Sequence, residues 1–214
     1  MRTVEINGIS IGANAPCFII AEIGSNHNGD LDTAKNMIKI AKENGADAVK
    51  FQIFKEKTLY PSEAGKVDYL KLSKTINELV RENEVPDEYH LELLKYCNEI
   101  GISYLCTPTD EELADYLDEI GVSGFKIASY ALTHVPLLKH IAKKGKPILL
   151  LHGFDSCFME FRRLAPFLIN KYQLIIPDLF GFGFCPRPKN ANYDKSSIIS
   201  HLTKLINELK SIHG

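Results

Sequence analysis

The sequence lacks an excess of charge of either sign. Its 25 Lys and Arg residues nearly balance 27 Asp and Glu residues, which gives a formal net charge of -2 at pH 7. No basic stripe or run of like charges follows the chain. Proteins that bind nucleic acids or anionic membranes carry such patches. We therefore expect neither as a partner.

Cysteine is present without the spacing of a structural site. No Cys-x-x-Cys pair occurs, and the odd total of five is scattered, at Cys17, Cys97, Cys106, Cys157 and Cys185. This argues against a disulfide framework or a zinc site and suits a reducing compartment. Residues 1–6 lack the apolar core of a signal peptide, and no apolar run approaches the roughly 20 residues that span a bilayer. We expect a soluble cytoplasmic protein.

What the sequence does contain is a regular alternation of apolar runs and amphipathic stretches. Strands are predicted at residues 18–23, 48–54, 102–106, 125–128 and 148–151, with helices at residues 31–44, 86–100, 111–120 and 136–144. A glycine ends each helix and leads into the next strand: Gly45, Gly101, Gly121 and Gly145. Such units form parallel sheets with right-handed crossovers. The predicted fold class is α/β, a partial TIM-barrel-like body of about six parallel strands.

Two segments depart from this alternation. Residues 3–14 alternate apolar and polar side chains around Asn7-Gly8, which predicts an N-terminal β-hairpin because both residues tolerate positive φ. A Gly-x-Ser-x-Gly match at residues 8–12 is taken as chance, since the serine-hydrolase motif needs a strand-to-helix turn. Residues 55–85 form a charged insertion, either a solvated excursion or a lid over the carboxyl ends of the strands.

Polar side chains inside the predicted strands carry the chemical signal. Alternation along residues 48–53 turns the apolar side chains toward the helices and Lys50 and Gln52 toward the inside. Four further polar residues lie on the inward face or at the carboxyl end of a predicted strand: Glu22, Thr107, Lys126 and Ser129. Lysines inside strands are seldom buried without an anionic partner. The set predicts an anion pocket at the carboxyl ends of the strands, and the alternative is that Lys50 and Glu22 simply pair with each other.

Four segments resemble the signatures of one enzyme family. These are residues 21–29 (AEIGSNHNG), 49–52 (VKFQ), 106–108 (CTP) and 125–129 (FKIAS). They are similar to the N-terminal motifs of sialic acid synthases and their legionaminate and pseudaminate relatives, over about residues 3–150. The resemblance implies a TIM-barrel transferase of carbohydrate biosynthesis that condenses phosphoenolpyruvate with an N-acylated amino sugar.

The same resemblance implies a role for each inward polar residue. Glu22 would be catalytic, near the reacting carbonyl of the sugar, and Gln52 would lie beside the sugar. Phosphoenolpyruvate would be held by Lys50, Thr107, Lys126 and Ser129. The chemistry agrees, because lysines offset phosphate and carboxylate charge.

The resemblance also implies a divalent metal, manganese or magnesium, and leaves a homo-oligomer as an open possibility. Family members normally take the metal from two histidines beyond the fifth strand, and no such ligands can be identified in this sequence. About 150 residues are too few for an eight-unit barrel of roughly 250 residues. We therefore expect the chain to be incomplete for turnover.

The last third of the chain resembles a different fold. Residues 146–214 are similar to the early part of an α/β-hydrolase, with a His-Gly turn at residues 152–153, a Pro-Asp-x-x-Gly-x-Gly segment at residues 177–183 and a helix capped by Asp194. The expected domains are residues 1–150 and a hydrolase-like βαβα fragment, residues 151–214, packed on the same sheet. One predicted helix buries Phe158, Phe161, Leu164 and Leu168. Asp178 is interpreted as structural, and no catalytic triad can be assigned because those residues follow the nucleophile elbow.

Two other interpretations remain open beside the synthase. Lys126 could serve as the Schiff-base lysine of an aldolase. The chain could also be hydrolase-derived, or an inert fusion of two truncated genes.

Overall fold

The computed structural model describes most of the chain. The described residues are 4–11, 15–16, 18–62, 64–65, 74–128, 130–131, 134–146, 148–150, 157–169, 174–176 and 178. Within these residues, no helix is long and apolar enough to cross a membrane.

The N-terminal segment is a β-hairpin, as predicted. Strands β1 (Val4–Ile6) and β2 (Ile9–Ile11) pair antiparallel around Asn7 and Gly8. Both turn residues have positive φ, 51° and 80°, which Asn and Gly adopt most readily. Ser10 of the Gly-x-Ser-x-Gly match therefore lies in a hairpin strand and not at a strand-to-helix turn.

The main sheet follows the order of the sequence. Its strands are β3 (Ile20–Gly24), β4 (Ala48–Ile53), β5 (Ser103–Pro108), β6 (Gly124–Ile127), β7 (Ile148–Leu150) and β8 (Leu174–Ile175). Every neighbouring pair is parallel and consecutive along the chain. This unreversed order is that of a barrel, whereas a doubly wound sheet reverses at a switch point. The predicted body of about six parallel strands is confirmed.

Helices between the strands end where the sequence signals predict. The connecting helices are α1 (Leu31–Glu43), α4 (Asp87–Ile100), α5 (Glu111–Ile120) and α6 (Val135–Ala142), and the insertion holds α2 (Glu56–Leu59) and α3 (Ile76–Asn83). The Asp110 carboxylate caps α5 by accepting from the backbone N–H of Leu113, and Gly121 ends that helix in the left-handed conformation. No predicted boundary of these connecting helices or of β3–β7 is wrong by more than two residues, which is the usual uncertainty of helix and strand ends.

The two faces of the sheet differ in the predicted way. On the outer face, Val49, Phe51 and Ile53 are buried against the connecting helices in the main hydrophobic core. On the inner face, Ala48 and Leu105 form a small cluster with Ile6 of the hairpin. The inner face is thus closed by apolar residues at the amino ends of the strands. Its polar side chains lie toward the carboxyl ends.

The segment after β7 continues the same sheet but is less regular than predicted. In place of one helix, a 3-10 helix (Phe158–Arg163) is followed by the short helix α7 (Ala165–Leu168). Pro166 explains the break because proline has no backbone N–H to continue the helical hydrogen bonds. Phe161 and Leu168 are buried as expected, whereas Phe158 is 37% exposed, against the prediction.

The hydrolase-like features lie mostly beyond the described part of the chain. Asp178 Oδ1 accepts a hydrogen bond from the Phe158 backbone N–H at 2.5 Å, which supports the structural interpretation of Asp178. The turn at residues 152–153 and the helix after residue 194 are outside the described residues. The likeness to an α/β-hydrolase, and the domain boundary near residue 150, stay predictions.

Candidate active site

An ion pair between a buried lysine and a half-exposed glutamate lies on the inner face of the sheet. Lys50 Nζ donates to Glu22 Oε1 at 2.8 Å, and the two residues are register partners between β3 and β4. The Lys50 side chain is fully buried, while that of Glu22 is 51% exposed. An ammonium is costly to bury without an anion beside it, and Glu22 supplies that anion. The contact with Glu22 therefore explains how Lys50 can be buried at this position. This is what the alternative interpretation expects, in which the two residues simply pair with each other.

Lys126 from β6 adds a second cation to this pair. Burial, and then the positive charge of Lys50, lower the pKa of the Lys126 ammonium, while the charge of Glu22 opposes the shift. No carboxylate among the described residues lies within ion-pair distance of Lys126. One carboxylate thus faces two lysines. The excess positive charge in a partly buried site favours an anionic ligand.

Gln52 and Thr107 lie one step further toward the carboxyl ends of the strands. They are register partners between β4 and β5, and both line a cavity of about 450 Å³ together with Thr109 and Ala128. We refer to this cavity as the groove. The hydroxyl oxygens of Thr107 and Thr109 are buried and have no hydrogen-bond partner in the described structure. A buried hydroxyl without a partner is costly, so a small shift of either side chain toward the groove would let its hydroxyl bind a ligand or water.

The insertion forms the opposite wall of the groove. Helix α3 contributes residues at i, i+3, i+4 and i+7, namely Ile76, Leu79, Val80 and Asn83. Three further residues lie around them: Leu59, Tyr60 and Tyr130. The described residues of the insertion therefore lie beside the ends of β4 and β5, as expected of a lid, and we refer to residues 55–85 as the lid.

Polar contacts of the buried Asn77 side chain and of the exposed Thr58 hydroxyl hold this lid in place. The Asn77 side chain is buried, and its Nδ2 donates to Glu56 Oε1 at 2.9 Å and to the Pro61 carbonyl at 3.1 Å. Thr58 Oγ1 donates to Asp110 Oδ2 at 2.7 Å, which ties α2 to the cap of α5. These contacts fix the position of α3 relative to the ends of the strands.

A buried histidine organises the loop between β3 and α1. The backbone N–H of Gly29 donates to His27 Nδ1 at 3.1 Å, and the Tyr89 hydroxyl lies 2.7 Å from the same nitrogen. Burial lowers the pKa of His27, against the opposing effects of a hydrogen bond to the Gly24 backbone and the charge of Asp30. His27 is thus a neutral ring whose Nδ1 is already engaged within the loop.

The described residues do not fit the divalent metal that the resemblance implies. No group of three or more His, Cys, Asp or Glu side chains in this part of the chain could hold a metal ion. Glu22 is engaged by Lys50 and His27 by its own loop.

The predicted site residues fall into two adjoining groups. The structure brings Glu22, Lys50 and Lys126 together, and it places Gln52 and Thr107 in the groove beside them. Ser129 lies outside the described residues. The sequence analysis missed Thr109 and the apolar stripe of α3. The spacing of that stripe could have revealed it, but we interpreted the insertion by its charge.

The fold and the position of the site define the class of protein. A barrel-ordered parallel sheet with its polar site at the carboxyl ends of the strands is the arrangement of TIM-barrel enzymes. The truncated 3-deoxy-D-arabino-heptulosonate 7-phosphate synthase of Thermotoga maritima has a similar structure, with a TM-score of 0.59 over 94% of this chain and 65% of that chain. At 15% identity the likeness shows the fold alone.

The family follows from the sequence comparison. The NeuB family model matches residues 37–168, and the chain belongs to the NeuB family. The match runs past residue 150, where we expected the family pattern to stop. Synthases of this family are enzymes that condense phosphoenolpyruvate with amino sugars and form a carbon–carbon bond.

Two relatives show how much of the family architecture is covered. The N,N'-diacetyllegionaminic acid synthase of Legionella pneumophila is 41% identical over 173 residues, which cover 78% of this chain and 48% of that protein. The structure of the N-acetylneuraminic acid synthetase of Leptospira borgpetersenii, determined with citrate, is 31% identical with a TM-score of 0.66, and the match covers 81% of this chain and 57% of that one. The chain spans about half the length of these relatives.

Proposed function

We propose that this protein is a phosphoenolpyruvate-dependent synthase of a nonulosonic acid of the sialic type, acting on an N-acylated amino sugar. The observation that carries the proposal is the pair of lysines on the inner face of the sheet: Lys50 is paired with Glu22, and Lys126, which has no carboxylate within ion-pair distance among the described residues, is near enough to feel both charges. Phosphoenolpyruvate brings a phosphate and a carboxylate, and both need cations in a site that excludes water.

The described residues support different roles for Lys126, Lys50 and Glu22 in this reaction. The C3 carbon of phosphoenolpyruvate attacks the aldehyde carbon of the sugar, and the negative charge that develops on the aldehyde oxygen is neutralised by a proton. Water adds to the cationic C2 carbon that this attack leaves, and inorganic phosphate departs to give the 2-oxo acid. Lys126 binds the phosphoenolpyruvate anion, while Lys50 stays beside Glu22 and adds positive potential to the same site. Glu22 fixes the position of Lys50 through their 2.8 Å contact, and its exposed part faces the incoming sugar. Positioning and electrostatics of this kind lower the barrier without moving charge far.

Two further residues complete the proposed site. Thr107 offers its unpaired buried hydroxyl at the junction between the lysines and the groove. Ser129 follows β6 and stays a prediction from the family resemblance.

The test is phosphoenolpyruvate binding measured by titration calorimetry on the wild type and on Lys50→Met and Lys126→Met. Methionine keeps most of the side-chain volume but removes the charge. A hydrogen bond to a charged group contributes about 1.5–3 kcal/mol, so Lys126→Met should bind about 10- to 100-fold more weakly. Lys50→Met removes the positive charge that offsets Glu22, so it should also weaken binding of the anion. Lys39→Met is the control, because Lys39 lies on α1 with a side chain that is 59% exposed.

Melting temperatures separate loss of binding from loss of fold. Lys50→Met leaves the Glu22 carboxylate without its cation, but Glu22 is 51% exposed and can be solvated by water, so the variant should remain folded. If both methionine variants bind phosphoenolpyruvate as tightly as the Lys39→Met control, the two lysines have a structural role only and the proposal is wrong.

The aldolase interpretation keeps one supporting observation. The lowered pKa of Lys126 increases the fraction of this residue in the neutral amine form, which is the nucleophile of Schiff-base chemistry. Borohydride reduction in the presence of pyruvate, followed by mass spectrometry, distinguishes an aldolase from a synthase. A covalent adduct on Lys126 would favour an aldolase, and an unmodified Lys126 is expected for the synthase.

A further inference from the structure

Strand β3 contains a bulge directly after Glu22. Glu22 lies opposite Lys50 and Gly24 lies opposite Phe51, so Ile23 is an extra residue of β3. A bulge redirects the side chains beside it and is common next to active sites. Here Ile23 is buried in the main hydrophobic core, while Glu22 is on the inner face with Lys50. The direction of the Glu22 carboxylate therefore depends on the conformation of the bulge.

Gly24 leaves open the space beside the Glu22 carboxylate. Its φ is 58°, in the left-handed region, and a Cβ atom at this position would lie 3.3 Å from Glu22 Oε1. This is the same oxygen that accepts from Lys50 Nζ. Any other residue at position 24 would press on the carboxylate and would also strain the backbone.

The loop between β3 and α1 holds the bulge through two side chains. Asn26 donates twice to the Ile23 carbonyl, from its backbone N–H at 3.1 Å and from its Nδ2 at 2.7 Å. His27 Nδ1 accepts from the backbone N–H of Gly29, so the proton of the neutral ring is on Nε2. This Nε2–H is the donor of the hydrogen bond between His27 and the Gly24 backbone.

The His27 ring is in turn fixed by α4 and β4. The Tyr89 hydroxyl of α4 lies 2.7 Å from His27 Nδ1 and donates to the Asp30 carbonyl at 3.0 Å. The centroid of the His27 ring is 5.7 Å from that of Phe51, which is the register partner of Gly24. A ring that is held on several sides gives the Gly24 backbone a fixed position.

We propose that Gly24 and His27 are positioning residues that hold the Glu22 carboxylate on Lys50 by fixing the bulge in β3. This inference rests on the proposed function, in which Glu22 fixes Lys50 and faces the incoming sugar. Neither residue acts on the substrate directly. Without them the Glu22 side chain, which is 51% exposed, turns toward solvent and leaves the lysines without the anion between them.

The experiment follows the titration of Lys126, which senses the position of Glu22 without any ligand. Burial, and then the charge of Lys50, lower the pKa of Lys126, and the negative charge of Glu22 opposes them. NMR of protein with isotope-labelled lysine side chains measures this titration, and the spectrum of Lys126→Met identifies the signal. Glu22→Gln removes the opposing charge, so it defines the full shift of the titration to lower pH.

Two glycine variants form a matched pair. Gly24→Ala puts a methyl group against Glu22 Oε1, so it should produce at least about half of the shift seen in Glu22→Gln. Gly145→Ala is the control, because Gly145 has a similar φ of 71° but an added Cβ atom would meet nothing within 4 Å. Both variants strain the backbone and should lower the melting temperature. Only Gly24→Ala should move the Lys126 titration.

Two amide variants test the bond from His27 to Gly24. His27→Gln keeps a donor near the position of Nε2, whereas His27→Asn keeps an acceptor near the position of Nδ1 but does not reach Gly24. Both lose the ring and its packing, so both should be less stable than the wild type. His27→Asn should shift the Lys126 titration in the direction of Glu22→Gln, and His27→Gln should shift it less.

The outcomes separate this inference from the proposed function. If the Lys126 titration is the same in Gly24→Ala as in Gly145→Ala, the bulge does not position Glu22 and the inference is wrong. Equal shifts in the two His27 variants would overturn the role of His27. If these variants behave as expected but phosphoenolpyruvate does not bind, the positioning of Glu22 stands and the synthase proposal fails. Lysine-dependent binding of phosphoenolpyruvate with an unmoved Lys126 titration would leave the synthase standing and this inference refuted.

Discussion

His90 is a fully buried histidine whose ring is held by one neighbour. Its Nδ1 lies 2.8 Å from the Tyr104 hydroxyl. Burial raises the pKa of Tyr104 well above its ordinary value, so the phenol stays protonated and donates to His90. The proton of the neutral imidazole is then on Nε2, which has no partner in the described part of the chain.

This arrangement predicts acid sensitivity. Burial, followed by the charge of His27, lowers the pKa of His90 from 6.5 to about 4. Between these two values the unfolded chain binds more protons than the folded one, so stability falls as the pH drops through this window. The loss should approach roughly 3 kcal/mol at the lower end. Urea unfolding at several pH values measures it.

The variants for this test are His90→Gln and His134→Gln. His90→Gln should flatten the dependence of stability on pH, whereas His134→Gln, at an exposed position, should leave it unchanged. Equal pH dependence in both variants would show that His90 is not the group responsible.

Lys126 gives a second prediction, on binding. Because its pKa is lowered below the ordinary 10.5, Lys126 loses its proton at a lower pH than an exposed lysine. Phosphoenolpyruvate affinity should therefore fall on the alkaline side, at a lower pH than it would with an exposed lysine, and the phosphate is already fully ionised there. The bound anion favours the charged lysine, so binding should also take up protons in this range.

Calorimetry in buffers of different ionisation enthalpy measures this proton uptake. Lys126→Arg provides the control, because its charge persists at every pH used. The same alkaline fall in affinity in Lys126→Arg would mean that another group titrates.

At the scale of elements, period-two alternation was enough to predict the inner face. It placed Lys50 and Gln52 inward because the outer positions, Val49 and Phe51, had to meet helices. The groove could not be predicted in the same way. Thr109 follows the end of β5, where alternation no longer applies, and α3 depends on contacts with Glu56 and Pro61 that are remote in sequence.

Removing the Asn77 hydrogen bonds should destabilise helices α2 and α3 of the lid, whereas a substitution on an exposed helix surface should not. Asn77→Ala removes two hydrogen bonds and leaves the Glu56 carboxylate without its amide donor. We expect a local loss of about 1–3 kcal/mol, seen as faster amide exchange in α2 and α3 with β4 and β5 unchanged. Asn36→Ala, on the exposed side of α1, is the matched control. Faster exchange across the whole sheet would mean that the lid and the barrel unfold as one unit.

At the scale of the molecule, the question is whether the chain is one body or two. The register continues without reversal from β6 through β7 to β8. Phe161, which follows β7, is almost completely buried in the same core as Val49 and Phe51 of β4. The segment that resembles a hydrolase in sequence therefore packs, in its described part, as a further strand–helix unit of the barrel.

Phe161 should accordingly stabilise strands far from it in sequence. Removing a buried phenylalanine typically costs 3–5 kcal/mol, so Phe161→Ala should lower the global free energy of unfolding by about this amount. The amides of β4 and β5 should then lose protection from hydrogen exchange to the same extent as those of β7, because one cooperative unit has one free energy of unfolding. Met159→Ala, at a position that is 39% exposed, should change neither the free energy of unfolding nor the protection of these amides. Unchanged protection in β4 and β5 of Phe161→Ala would instead mean two independently folding domains, with the boundary near residue 150 that the sequence first indicated.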